Sequence, residues 1–173
     1  MRPLPSPPIL LITDRSQASR SLDEVVAAAF DGGCRWVSLR EKDLAAHERR
    51  RLAEALLKRA EPYKARVGVH DDVALAASLG LRGLHLPTGG DVAAAKRQVD
   101  PRCLIGRSCH SDQDIAAAET SGADYATLSP IFLTSSKPGY GPALGLERLA
   151  AAVAGTSLPL VALGGINAAQ ATA

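Results

Sequence analysis

The segment Trp36–Lys42 reads WVSLREK, an apolar run that passes into three charges. In an extended chain Val37 and Leu39 fall on one face and Ser38 and Arg40 on the other. A helix-like stretch follows as far as Pro62, and Arg66–Asp71 (RVGVHD) then repeats the pattern, a β-branched run ending in polar residues. Read outward from these two, the same grammar recurs along the chain. The apolar runs are Ile9–Asp14, Trp36–Glu41, Arg66–Asp71, Gly83–Pro87, Leu104–His110, Tyr125–Pro130 and Pro159–Gly165. Strands that alternate with helices are parallel and joined by crossovers. Seven such units predict an α/β fold of the (β/α)8 TIM-barrel type, seven strands visible and strand eight missing. A doubly wound open sheet is the alternative, but no Gly-x-Gly-x-x-Gly follows the first strand.

Helix punctuation supports the division. Ser21-Leu-Asp-Glu24 is a capping box, and Asp43, Asp72, Ser111 and Asn167 are further N-cap candidates. Gly32, Gly80, Gly122 and Gly155 stand where helices should stop in a left-handed residue. One TIM-barrel domain over residues 1–173 is expected, with a proline-rich extension at 1–8 and no internal linker. The last ten residues, GGINAAQATA, begin a seventh helix and go no further. Strand eight and the final helix are therefore expected outside these residues, in a chain that is C-terminally incomplete.

Composition narrows the function classes. The 173 residues are 46% hydrophobic but only 3% aromatic, so the core is built from Ala, Val, Leu and Ile. Twenty Lys and Arg against 18 Asp and Glu leave a net charge of +2, and no basic tract is interleaved with aromatics. That argues against nucleic acid as a partner. No stretch approaches the ~18 apolar residues of a membrane span, and the N-terminus lacks the apolar core of a signal peptide. Cys34, Cys103 and Cys109 fit neither a disulfide framework nor a CxxC pair, and read as buried thiols of a cytoplasmic protein.

Barrel chemistry gathers at the C-terminal ends of the strands. Those ends carry Thr13-Asp14-Arg15, Arg40-Glu41-Lys42, His70-Asp71-Asp72, Ser108-Cys109-His110 and Ser129-Pro130, the last followed by a loop with Thr134, Ser136 and Lys137. Parity groups Ser38 with Arg40, Gly68 with His70, and Ser108 with His110. Cations inside a barrel need a counter-charge. For Arg40, Lys42 and Lys137 a phosphate or diphosphate supplies it, unless Arg40 pairs with Glu41 or Asp71. Gly164-Gly165, before the Asn167 cap, offers bare N–H groups for a phosphate. His85 reads as a core histidine, and a metal triad of His70, His85 and His110 is a weaker alternative. Residues 48–51 (ERRR) read as a solvated helix face.

Several motifs together resemble one family. Val37–Lys42 is similar to the "V-Q-L-R-x-K" strand of thiamine-phosphate synthases, and Ile105–Ser111 (IGRSCHS) to their "I-G-x-S-x-H-S". Gly122–Tyr125 with Ser129–Lys137 resembles "G-A-D-Y…G-P-V-F-x-T-x-T-K", and Leu163–Ile166 resembles "I-G-G-I". Leu11–Asp14 matches as well. The resemblance runs in order from about Leu10 to the end, and covers the synthases and the related TenI-type thiazole tautomerases, all (β/α)8 barrels.

The resemblance implies joining a hydroxymethylpyrimidine diphosphate to a thiazole phosphate, with release of diphosphate and with Mg2+ as cofactor. It places Arg40, Lys42 and Lys137 on the diphosphate and Asp71 on the metal. It places Ser108 near the diphosphate, Thr134 and Ser136 around the substrates, and Gly164 and Gly165 at the thiazole phosphate. Three positions depart from the pattern. Ser38 stands where it has Gln, His70 where it has Asn, and Leu86-Pro-Thr-Gly-Gly-Asp91 where it has "L-G-Q-x-D", so Asp91 matches a second metal ligand only with a one-residue shift. These departures lean towards the tautomerase branch, where His110 would move a proton on the thiazole. The retained cations and Asp71 lean towards the synthase, which is the reading taken. A non-catalytic barrel that binds thiamine-related phosphates is the third reading. Expected partners are small phosphorylated substrates, with no nucleic acid and no membrane; homo-oligomerisation stays open.

Overall fold

The computed structural model describes residues 2–134 and 141–168. The elements alternate as the sequence predicts. They are β1 (Leu11–Ile12), α1 (Leu22–Asp31), β2 (Trp36–Leu39), α2 (Ala46–Ala60), a 3-10 turn (Glu61–Tyr63), β3 (Arg66–His70), α3 (Val73–Ser78), β4 (Gly83–Leu86), α4 (Val92–Lys96), β5 (Leu104–Cys109), α5 (Asp112–Thr120), β6 (Tyr125–Leu128), α6 (Gly145–Ala154) and β7 (Leu160–Ala162). The seven strands stand in the sheet in chain order, β1 to β7. A doubly wound sheet reverses its order at a switch point, so this order excludes that alternative. It is the order of a (β/α)8 barrel, and no eighth strand occurs among the described residues.

Two compact units divide these residues. The first comprises residues up to His85 together with Ala94–Ile105. In it β1 pairs β2, β2 pairs β3 and β3 pairs β4, all parallel. The register aligns residues in layers: Ile12 with Ser38, Gly68 and Gly83, and one step further on His70 with His85. Gly68 and Gly83 sit so close that a Cβ on Gly68 would lie 2.8 Å from the Gly83 backbone. With no side chains there, the space goes to Trp36, which is on the Ser38 face and is 1% exposed. Val37, Leu39, Val67, Val69 and Leu84, of the opposite parity, are buried, as are Val26, Phe30, Ala53 and Leu56 of α1 and α2.

The second unit comprises Leu86–Ala93 and the residues from Gly106 onward. Here β5 pairs β6 and β6 pairs β7, again parallel. Gly106 lies opposite Tyr125, and a Cβ on Gly106 would fall 2.0 Å from the phenol ring. Beyond the formal ends of β6 and β7 the pairing continues, with Ile131 N donating to Leu163 O and Phe132 N to Gly164 O.

Most caps match expectation. Ser21 and Glu24 form the capping box of α1, Asp72 accepts from Leu75 N, and Ser111 from Asp114 N. Asp43 does not cap α2. That helix starts later, behind Ala45, whose N–H donates to Glu48, because Asp43 is engaged by Arg15. Gly80 and Gly122 are left-handed, as expected, but Gly32 and Gly155 are not. After α1 the left-handed residue is Gly33 (φ 98), one position further on. The charge run at 48–51 is not simply solvated: Arg49 bonds Asp72 and Leu44 O, tying α2 to the cap of α3. The Asn167–Gln170 box extends beyond the described residues.

Candidate active site

The predicted site residues fall into two groups, one in each unit. In the first unit, Asp14, Arg40, His70 and His85 succeed one another at the C-terminal ends of β1 to β4. The β2 end is held to the β1 end through Thr13, a buried residue. Its N–H donates to Ser38 O, and its hydroxyl accepts from Arg40 N at 2.9 Å. The interior pairing considered for Arg40 does not occur. Glu41 turns to Arg15 instead, and Arg40, Lys42 and Asp71 make no ion pair with any other described residue. Arg40 still acts at a distance on Asp14, whose carboxyl lies below the ordinary range. The Ser16 hydroxyl is the main cause, then the Gln17 amide, with Arg40 a lesser contributor.

Ser38 is 3% exposed and its hydroxyl has no hydrogen-bond partner among the described residues. One step along, the rings of His70 and His85 lie 4.8 Å apart, tilted by 39°. Burial, and secondarily the His70 ring, push the His85 imidazole down to about 3, so it is neutral at physiological pH. This fits the core-histidine reading of His85. Asp71 is exposed and takes a left-handed backbone (φ 56), a conformation that Asp tolerates better than most residues.

In the second unit His110 follows β5. Its Nδ1 lies 2.8 Å from the carbonyl oxygen of Ser129, which can only accept, so Nδ1 carries the proton. In the neutral ring Nε2 is then the basic nitrogen. The His110 N–H donates to Asp114, which also accepts from the Ser111 hydroxyl. Ser108 holds the β4–α4 loop, its carbonyl accepting from the Thr88 hydroxyl at 3.0 Å. Gly164 and Gly165 are both left-handed (φ 99 and 65), and their N–H groups donate to no other described residue. A Cβ on Gly165 would sit 2.3 Å from Leu133 O, so only glycine fits there. Thr134 closes the described part of the β6 loop. Ser136 and Lys137 lie outside the described residues, as does Gln170.

Asp91 is exposed, and no cluster of three His, Cys, Asp or Glu side chains able to hold a metal occurs among the described residues. The histidine triad is therefore set aside. The sequence assigns no role to Thr13, Arg15, Thr88 or Ser129, and offers Glu41 only as a partner for Arg40. Each stands at or next to a strand end, but their bonds span 19 to 27 residues of chain and leave no local pattern.

In the first unit, cations at the β2 end have no ion pair among the described residues; in the second, the β7 loop carries unbonded glycine N–H groups; with barrel strand order, these are the features of a phosphoryl-handling α/β barrel. The comparisons make this specific. Residues 9–173 match the model of the thiamine monophosphate synthase family, and the chain belongs to that family. It is 40% identical to the thiamine-phosphate synthase of Halorhodospira halophila, over 88% of this chain and 74% of that one. With that of Roseiflexus sp. it shares 35% identity over 98% of this chain and 74% of that one. A solved thiamine phosphate pyrophosphorylase from Pyrococcus furiosus superposes with a TM-score of 0.80 at 30% identity, over 91% of this chain and 75% of that one. A native KDPGal structure (TM-score 0.68, 17% identity) shares the fold. No described helix is long and apolar enough to cross a membrane.

Proposed function

We propose that this chain is a thiamine-phosphate synthase. It joins a hydroxymethylpyrimidine diphosphate to a thiazole phosphate and releases diphosphate. The observation that carries the reading is the pair Arg40 and Lys42, two cations at the end of β2 with no ion pair to any other described residue. Neither has a carboxylate in ion-pair contact, which leaves both able to bind an anion. A diphosphate, whose negative charge grows as it leaves, is the anion that such cations stabilise most in the transition state. The thiazole nitrogen donates its lone pair to the pyrimidine methylene carbon as the C–O bond to diphosphate breaks. Arg40 and Lys42 hold the departing oxygens, and Lys137 is assigned to them by family likeness. Ser38, His70, Ser108, Thr134 and Ser136 are assigned to the substrates, and Gly164 and Gly165 to the thiazole phosphate.

The residues present fit Mg2+. The Asp71 carboxylate is exposed and unpaired among the described residues, and Mg2+ is commonly held by one or two carboxylates plus substrate phosphate oxygens. Asp71 is the residue proposed to hold it. When bound, the ion neutralises charge on the diphosphate.

A second reading, thiazole tautomerisation, is favoured by His110, whose Nδ1–H to Ser129 O leaves Nε2 as a base. One assay separates the two. Protein, pyrimidine diphosphate, thiazole phosphate and Mg2+ are mixed and thiamine phosphate is measured. Product that disappears in Arg40→Ala and Lys137→Ala supports the synthase. Absence of product, with thiazole carboxylate isomerisation lost in His110→Ala, selects the tautomerase. Binding without either turnover selects the non-catalytic barrel.

A further inference from the structure

Thr13 stands one residue beyond β1 and is 2% exposed. The register pairs Leu11 with Val37 and Ile12 with Ser38, so the next step sets Thr13 beside Leu39. The first bond of that step forms, with Thr13 N donating to Ser38 O at 3.0 Å. A regular parallel ladder would then give the Arg40 N–H to the Thr13 carbonyl. It goes instead to the Thr13 hydroxyl, at 2.9 Å.

A main-chain carbonyl would serve strand pairing as well. What the hydroxyl adds is that β1 leaves the ladder while the end of β2 stays where it is. The β1 chain turns at once, with Gln17 N donating to Asp14 O, yet the Arg40 N–H keeps a partner. Threonine suits the task because its branched Cβ restricts χ1 and keeps the hydroxyl aimed.

The hold falls on both sides of Leu39, which is itself 1% exposed, so the peptide units leading into Arg40 are fixed from β1 and from the core. Two residues further on, Arg15 takes the Glu41 carboxylate through its backbone N–H and its guanidinium. Thr13 therefore grips the main chain of Arg40, and Arg15 the side chain that follows it. Neither bond uses the Arg40 guanidinium, which is left for a ligand. A long side chain on a fixed root delivers its charge to one place, whereas a small rotation at the root displaces the charge by more than the root itself moves.

We propose that Thr13 is a positioning residue for diphosphate, its hydroxyl fixing the main chain from which Arg40 reaches the phosphoryl oxygens. The inference rests on the role given to Arg40 under the synthase reading. Donors held in place before the reaction lose no freedom as charge develops on the leaving group, so the hold should be felt in binding and in turnover alike.

The test uses the whole chain carrying Thr13→Val, Thr13→Ser, Arg40→Ala, or Thr13→Val with Arg40→Ala. Valine keeps the size and branching of threonine and removes only the acceptor. Diphosphate is titrated by calorimetry in the presence of Mg2+, and kcat and both KM values are measured where circular dichroism shows each variant folded. Thr13→Val should weaken diphosphate binding about tenfold and lower kcat, with the KM for thiazole phosphate nearly unchanged. Thr13→Ser, which keeps the acceptor, should return the affinity to within about threefold of wild type. In the Arg40→Ala background Thr13→Val should have no further effect on diphosphate, since the two residues act as one unit. An equal loss with and without Arg40 would show that Thr13 serves the fold alone, and an affinity unchanged by Thr13→Val would overturn the proposal outright, as would a wild type that binds no diphosphate. A wild type that binds diphosphate but forms no thiamine phosphate would refute the synthase reading, and the binding comparison would still decide the role of Thr13.

Discussion

The Glu41 carboxylate, 3% exposed, accepts from both the backbone N–H and the guanidinium of Arg15, the latter at 3.0 Å. The same guanidinium reaches on to Asp43. Glu41 stands between Arg40 and Lys42, so this bond fixes the β1 loop to the segment that presents both cations. Glu41→Ala leaves the Arg15 N–H without its acceptor and should cost about 2 kcal/mol in chemical denaturation. It should also lower kcat. Asp43→Ala, at an exposed carboxylate that solvent can replace, should cost less and leave kcat near wild type.

In the second unit the tightest fit is Gly106 beneath Tyr125. The ring is 2% exposed, and three of its atoms would lie within 2.4 Å of an added Cβ. Gly106→Ala must therefore displace the ring and should destabilise by about 1–3 kcal/mol. Tyr125→Ala should cost about 3–5 kcal/mol through the cavity it leaves. The double variant should be more stable than the sum of the two losses implies, since the methyl enters vacated space. Strict additivity in urea titrations would refute the contact.

How much of this was readable in advance follows from where the information lies. All seven strands were legible because each is a short apolar run bounded by turn residues. Ends were less so. Ile9–Asp14 shrinks to the two-residue β1, since its further pairing depends on hydrogen bonds that apolarity does not encode. Asp43 looked like an N-cap by type and position, but the long-range partner Arg15 took it. Parity placed Ser38 correctly on the face of Gly68, its register partner. What parity lacks is the partner, and the fate of Glu41, the Thr13 support of Arg40 and the Ser129 hold on His110 are tertiary facts.

The buried His85 gives stability a pH dependence. Unfolded, it titrates near its ordinary ~6.5; folded, burial pushes it down to about 3. Between those values the unfolded chain binds a proton that the folded chain does not. The stabilisation is complete above pH 6.5 and is lost as pH falls towards 3, at about 1.4 kcal/mol per unit. By pH 5 the loss should reach about 2 kcal/mol. The His70 ring faces the His85 ring at 4.8 Å. Urea denaturation at pH 7 and pH 5 should show the loss in wild type and a markedly smaller one in His85→Gln. Equal losses in both would assign the effect to another group.

Gly165 and Gly80 separate backbone strain from site geometry. Both are left-handed (φ 65 and 59), so alanine at either costs about 1 kcal/mol in conformation. At Gly80 an added Cβ meets nothing within 4 Å, whereas at Gly165 it meets Leu133 O at 2.3 Å and Phe132 Cβ at 2.8 Å. Gly165→Ala must therefore push the β7 loop away from the β6 loop, and with it the N–H groups assigned to the thiazole phosphate. Gly80→Ala should lower stability slightly and leave kinetics unchanged. Gly165→Ala should lower stability further and raise KM for thiazole phosphate at least tenfold, with a smaller change for the pyrimidine diphosphate. A KM change confined to the pyrimidine diphosphate would show that the glycine loop serves the other substrate.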